Sequence, residues 1–162
     1  GNGQPISSLV GNNRAKAAAS QIFVTGSFWF SAAPMAAALE TLRIIRETDY
    51  LEHMQKMGTA FRDGLVRQAA DFGFGLRITG PATLPIMLFD DDPDFRIGYG
   101  FCQAAMKRGV YLSPYHNMFM NAAMTDNDLT ETLDATGAAF EAIKESRASL
   151  KPSAVLAALM DA

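Results

Sequence analysis

A chain of 162 residues, 49% hydrophobic and 19% charged, has enough apolar side chain to build one domain, or one domain and part of another, and does not have the composition of a disordered segment. Its formal net charge of −3 is carried with scattered basic residues. It offers no Lys/Arg block for nucleic acid and no basic amphipathic helix for a membrane surface, and its apolar runs fall far short of a membrane span.

Gly1-Asn2-Gly3-Gln4-Pro5 opens the chain without an initiator methionine or a leader, and such a string normally connects two elements. The first residue therefore reads as an internal position of a longer protein. Ile6, Leu9 and Val10 form a short apolar run stopped by Gly11, expected as a buried strand. Asn13 is expected to cap a brief helix through Ser20, built on the strong helix formers Ala17, Ala18 and Ala19. Residues 21–30 are β-prone but broken by a Gly26-Ser27 turn. They combine the hydroxyls of Thr25 and Ser27 with Phe28, Trp29 and Phe30, the least ordinary stretch of the sequence.

Met35, Leu39, Leu42 and Ile45 recur at helical spacing and mark one apolar face. Thr48 and Asp49 interrupt it, with Glu52 placed to complete a capping box on Asp49. Leu51, Met54, Met57, Phe61 and Leu65 give the next helix its stripe, which should stop near Gly73. His53 reads as helix surface and the methionines as core.

Leu76 and Ile78 alternate with polar residues up to Gly80-Pro81, a strand and turn. Residues 84–89 read as a second strand, and Pro85 makes it start late or lie at an edge. The run Asp90-Asp91-Asp92-Pro93-Asp94 lacks the spaced ligands of a calcium loop; it reads as a loop whose acids favour a helix N-terminus. That helix covers residues 94–108 and carries Cys102, a lone cysteine that rules out an intrachain disulfide framework, fits a reducing compartment and reads as packed on a helix face. Cys102 with His53 and His116, at unrelated spacings, makes no metal site.

After Gly109 come a short strand at Val110-Tyr111-Leu112, a polar loop Ser113-Pro114-Tyr115-His116-Asn117 and an apolar return at Met118-Phe119-Met120. Thr125 and Asp128 form a capping box for a last helix whose buried stripe is Leu129, Leu133, Thr136, Phe140 and Ile143. Beyond Ser146 the pattern loosens, and residues 155–160 are expected as a helical tail. The order gives a small α+β unit preceded by long helices.

Three motifs carry a resemblance. The run from Gly1 to Gly11 is similar to the segment that follows the PLP-linking lysine in class III, pyridoxal-phosphate-dependent aminotransferases. Ser27-Phe28-Trp29, followed by Met35-Ala36-Ala37-Ala38-Leu39, resembles that family's Thr-Phe and Ala-rich stretch. Residues 109–112 with 125–133 resemble its final strands and closing helix, close to glutamate-1-semialdehyde aminomutase and its aminotransferase relatives.

The resemblance implies an α/β chain of PLP-dependent transferase fold type I. Residues 1–34 would end the large domain, 35–72 would be interdomain helices, 73–147 the small C-terminal α+β domain and 148–162 a tail. It implies pyridoxal 5′-phosphate as cofactor, a cytoplasmic homodimer whose subunits share the active site, and a small-molecule amino donor and keto acceptor. The cofactor phosphate falls to Ser27, with Gly26 and Phe28 as backbone neighbours and Thr25 as a second candidate hydroxyl. Asn2, with Gly3, would lie near the cofactor. Trp29 and Phe30 would wall the substrate entrance or pack in a dimer interface. Tyr115 and His116 belong to a loop that approaches the active site, although His116 reads more simply as a satisfied histidine.

The linking lysine should precede Gly1, and none of Lys16, Lys56, Lys107, Lys144 or Lys151 stands there, so the chain alone is expected to be inactive. Aminotransferase and 2,1-aminomutase share every residue just named. A non-catalytic split subunit serving dimer assembly is the competing class, and a generic small-molecule binding domain a third.

Overall fold

The computed structural model describes residues 3–23 and 25–152, with Ala154 and Ala158. Asn2 and most of the expected tail at 155–160 lie outside the described residues. The chain divides into two compact units, Gly1–Tyr50 and Leu51–Ala162.

In the first unit, α1 (Asn13–Ala19) is capped one residue earlier than expected, by Asn12, whose side chain accepts the Arg14 amide at 3.1 Å. The expected strand over residues 6–10 does not form, and residues 21–23 and 25–30 carry no strand either. A strand is held by a partner's backbone, and no ladder reaches these segments among the described residues. Their apolar side chains stay in solvent: Val10 is 85% exposed and Phe23 93%. The Ala-rich run does make a helix, α2 (Ala32–Glu47), with Pro34 inside its first turn, where a missing N–H is harmless. Arg43 pairs with Glu40 and Glu47 one turn to either side. Met35, Leu39 and Leu42, three of the four residues of the expected stripe, are exposed.

α3 (Tyr50–Asp71) begins without the expected Asp49–Glu52 box. The Thr48 hydroxyl takes the position instead, accepting the Tyr50 amide at 3.3 Å and donating to the Ile44 carbonyl at 2.7 Å. The helix ends as read: Gly73 has φ +79, its amide donates to Ala70, and the Phe74 amide reaches back to the Ala69 carbonyl at 2.8 Å. This pair of bonds satisfies the last carbonyls and needs the left-handed backbone that glycine adopts freely.

β1 (Leu76–Thr79) and β2 (Ile86–Phe89) pair antiparallel, Leu76 opposite Phe89 and Thr79 opposite Ile86. β2 starts after Pro85, as its missing N–H requires. Neither the strand expected at 110–112 nor the apolar return at 118–120 joins the ladder. The second is tethered along the first edge only, by Met118 N–H to the Pro85 carbonyl and Met120 N–H to Thr83; Pro85 has no hydrogen to return the bond.

α4 (Arg96–Met106) starts two residues later than read. The acidic loop does serve its N-terminus, since the buried Asp92 carboxylate accepts the amides of Ile97 and Gly98, both at 2.8 Å. α5 (Asp126–Ser146) has the capping box intact: Thr125 Oγ1 accepts the Asp128 amide while the Asp128 carboxylate accepts the Thr125 amide at 2.7 Å.

The core of the second unit lies where α3, α4 and α5 meet the hairpin. Phe61, Leu65, Met87, Phe101 and Phe140 are all 2% exposed or less, and the Phe101 and Phe140 rings lie 4.4 Å apart at their centroids. α3 approaches its neighbours closely where it lacks side chains. A carbon added at Gly58 would meet the Ala82 carbonyl oxygen at 2.1 Å, and one at Gly64 would meet Leu133 at 2.5 Å. Among the described residues no helix is long and apolar enough to cross a membrane.

Candidate functional site

The four residues expected around a cofactor phosphate, Thr25, Gly26, Ser27 and Phe28, lead into α2 in the first unit. Residues 27–30 turn, and the Ser31 amide donates to the Phe28 carbonyl at 3.2 Å. Ser31 then occupies the N-cap of α2 without a side-chain capping bond, and no acid stands in that helix's first turn. All four residues are exposed. Among the described residues, nothing accepts from the Ser27 hydroxyl or from the amides of residues 26–30. No charged side chain occurs between Lys16 and Glu40. Free N–H and O–H donors beside a helix N-terminus, with no carboxylate to compete, suit an anion such as a phosphate.

Trp29 folds back on this turn. A side-chain carbon at Gly26 would stand 3.0 Å from the indole Nε1, so glycine there gives the ring its place. The five lysines are all exposed; Lys56 lies 3.9 Å from Asp126 and Lys144 sits over the Phe72 ring.

The second unit carries a groove of about 670 Å³. The loop at residues 113–117, which holds His116, forms part of its wall, and Met118, Met120 and Leu129 line its apolar side. His116 Nδ1 lies 2.9 Å from the Asn117 carbonyl and must carry the proton there, which leaves Nε2 with a lone pair. Behind the groove, His53 is not a free surface histidine: its Nε2 meets the Met124 carbonyl at 2.8 Å and ties α3 to the loop ahead of α5. Burial pushes the Cys102 thiol up to about 12, as a packed and unreactive cysteine requires. Burial, helped by the neighbouring Tyr115 phenol, does the same to Tyr99.

The structure thus brings Thr25, Gly26, Ser27, Phe28 and Trp29 together in one unit and places His116 in the other. Groove residues Phe61, Leu129 and Thr132 were read from the sequence as parts of helical stripes or not at all. Only the packing of α3 against α5 turns them toward one opening.

No family model matches the chain. An aminopentol aminotransferase of Sphingopyxis macrogoltabida is 58% identical over 161 residues, covering 99% of this chain and 38% of that protein. A glutamate-1-semialdehyde 2,1-aminomutase of Desulfitobacterium hafniense is 28% identical over 149 residues, covering 83% of the chain and 35% of its own length. Among solved structures, the PLP internal aldimine form of a Sphingopyxis FumI protein matches with a TM-score of 0.86 at 58% identity, over 91% of this chain and 36% of that one. An omega-transaminase of Sphaerobacter thermophilus, 18% identical with a TM-score of 0.64 over 74% of this chain and 30% of that one, shares the fold. The chain spans little more than a third of the length of these relatives.

Proposed function

The chain carries the sequence and fold of the C-terminal portion of a class III PLP-dependent aminotransferase of fold type I, and on that premise we propose that the complete protein moves an amino group from a small-molecule amine to a keto acid or aldehyde. The observation that carries this reading is the near end-to-end likeness to an aminopentol aminotransferase. A hydroxylated amine is accordingly the donor class.

PLP, when bound, supplies the electron sink that makes a carbon beside the amine acidic. This chain's part is to hold and orient it. Ser27 Oγ and the amides of Gly26 and Phe28 receive the phosphate, and Thr25 offers a second hydroxyl. The resemblance assigns Asn2 to the cofactor's surroundings, and Trp29 and His116 to the substrate's. The linking lysine is not one of the five exposed lysines, so the 162-residue chain alone carries out no transamination. The functional unit is a cytoplasmic homodimer with a shared site. Residues 1–34 close the large domain, 35–72 connect, 73–147 form the small domain and 148–162 a tail.

A 2,1-aminomutase is the second reading, favoured by the identity to the glutamate-1-semialdehyde enzymes. One assay separates them. The complete protein with a primary amine and pyruvate should form alanine in step with amine loss. Isomerisation of an amino aldehyde with no keto acid present would support the mutase, and neither reaction would defeat both readings.

A further inference from the structure

The groove of the second unit has a composition that selects its ligand. Of its lining side chains none is Asp, Glu, Lys or Arg, so no permanent charge stands there to pair with a carboxylate, a phosphate or an ammonium group. Bringing a charge into such a site costs more than the groove returns. Part of the lining is apolar and adaptable: Phe61, Met118, Met120 and Leu129, with thioether chains that can follow a ligand's shape. The lining also offers hydrogen-bonding groups. Ser113 and Asn117 side chains make no hydrogen bond to another described residue, and His116 keeps Nε2 as an acceptor because Nδ1 is committed to the Asn117 carbonyl. Its volume, about 670 Å³, lies within the range of small-molecule sites.

A lining that mixes apolar side chains with uncharged donors and acceptors fits a chain that is part hydrocarbon and part hydroxylated. We propose that this groove binds the neutral, hydroxylated aliphatic chain of the amine substrate, so that the small domain reads the length and hydroxylation of the donor. The proposal rests on the aminotransferase reading for the identity of the molecule. The groove's preference for a neutral amphipathic chain stands on its lining alone.

The complete protein, labelled at its methionine methyl groups, provides the test. Met118, Met120 and Met124 all line the groove and report on it directly. Titration with 1,2-octanediol should move these three methyl signals in a saturable way, and octanoate at the same concentrations should leave them in place. Phe119→Asp, at a rim position 69% exposed and therefore tolerant of the change, should weaken diol binding at least tenfold. In steady state, KM for ω-hydroxylated primary amines should fall about two- to fourfold per added methylene in the wild type. In Phe119→Asp that dependence should flatten. Equal shifts with octanoate, or no shift of the three methyls with the diol, would overturn the proposal. Diol binding in a protein that transaminates no amine would uphold the groove and strike the functional reading instead.

Discussion

Thr136 is the buried polar side chain that locks α5 to α3, and removing its hydroxyl tests that lock. Its Oγ1 donates to Gln68 Oε1 at 2.8 Å, with the Leu133 carbonyl at 3.1 Å, and Gln68 Nε2 donates to the same carbonyl at 2.7 Å. Thr136 itself is fully buried. Thr136→Val keeps the shape and leaves Gln68 Oε1 half-buried without a donor. An unsatisfied buried group costs about 1–3 kcal/mol, and partial access to water puts this one near the lower half, about 1–2 kcal/mol. For a domain of roughly 100 residues that is a fall in Tm of about 5–10 °C. Removing both partners should be milder than the sum of the single changes, because no orphan remains. Thermal and urea unfolding of wild type, Thr136→Val, Gln68→Leu and the double variant measure the coupling. The double variant should lie at least about 1 kcal/mol above additivity; agreement with additivity within about 0.5 kcal/mol would refute the bond.

Gly58→Ala should destabilise the second unit by about 1–3 kcal/mol or more, read as a lower urea midpoint, because the added carbon meets backbone at 2.1 Å and backbone cannot turn aside. Thr125→Ala should cost about 1 kcal/mol at neutral pH. The Thr125 amide and then its hydroxyl hold the Asp128 carboxyl below its usual range, so this contribution is full above the unfolded value of about 3.9 and is lost as pH falls through the lower folded value. The gap in urea midpoint between wild type and Thr125→Ala should therefore narrow below about pH 4; a gap that widens there would contradict the box. Cys102, buried with its thiol raised to about 12, should resist thiol reagents at pH 8 until the unit unfolds, as followed by mass spectrometry. Ser27→Ala in the complete protein should weaken PLP binding about tenfold, measured by fluorescence titration, one charge-assisted hydrogen bond being worth about 1.5 kcal/mol or more.

Local signals were legible where the physics is local. The Thr125–Asp128 box, the stop at Gly73 and the late start of β2 after Pro85 each follow from a few adjacent residues. The failures share a cause. Residues 6–10 and 21–30 have the composition of strands, but a strand exists only with a neighbour, and composition does not supply one. The strand expected at 110–112 fails likewise, and the apolar return at 118–120 finds backbone partners only at Thr83 and Pro85, ahead of β2. The Asp49–Glu52 box lost to the Thr48 hydroxyl one position earlier, a competition between near-equal capping groups that pattern does not rank. The assignment of residues 25–28 to a phosphate rests on family resemblance alone, since a Gly-Ser turn is common. The groove was not legible, because its walls come from α3, the 110–120 segment and α5, which are distant in sequence.

The central claim is that these residues are part of a PLP enzyme whose linking lysine lies ahead of Gly1. Borohydride reduction of the protein from its natural source, followed by intact mass and peptide mapping, tests it most directly. The account predicts a species much heavier than 17.5 kDa with one reduced PLP adduct, mapped to a lysine just before the Gly-Asn-Gly-Gln-Pro run. A species of 17.5 kDa without an adduct, or an adduct on Lys16, would contradict it.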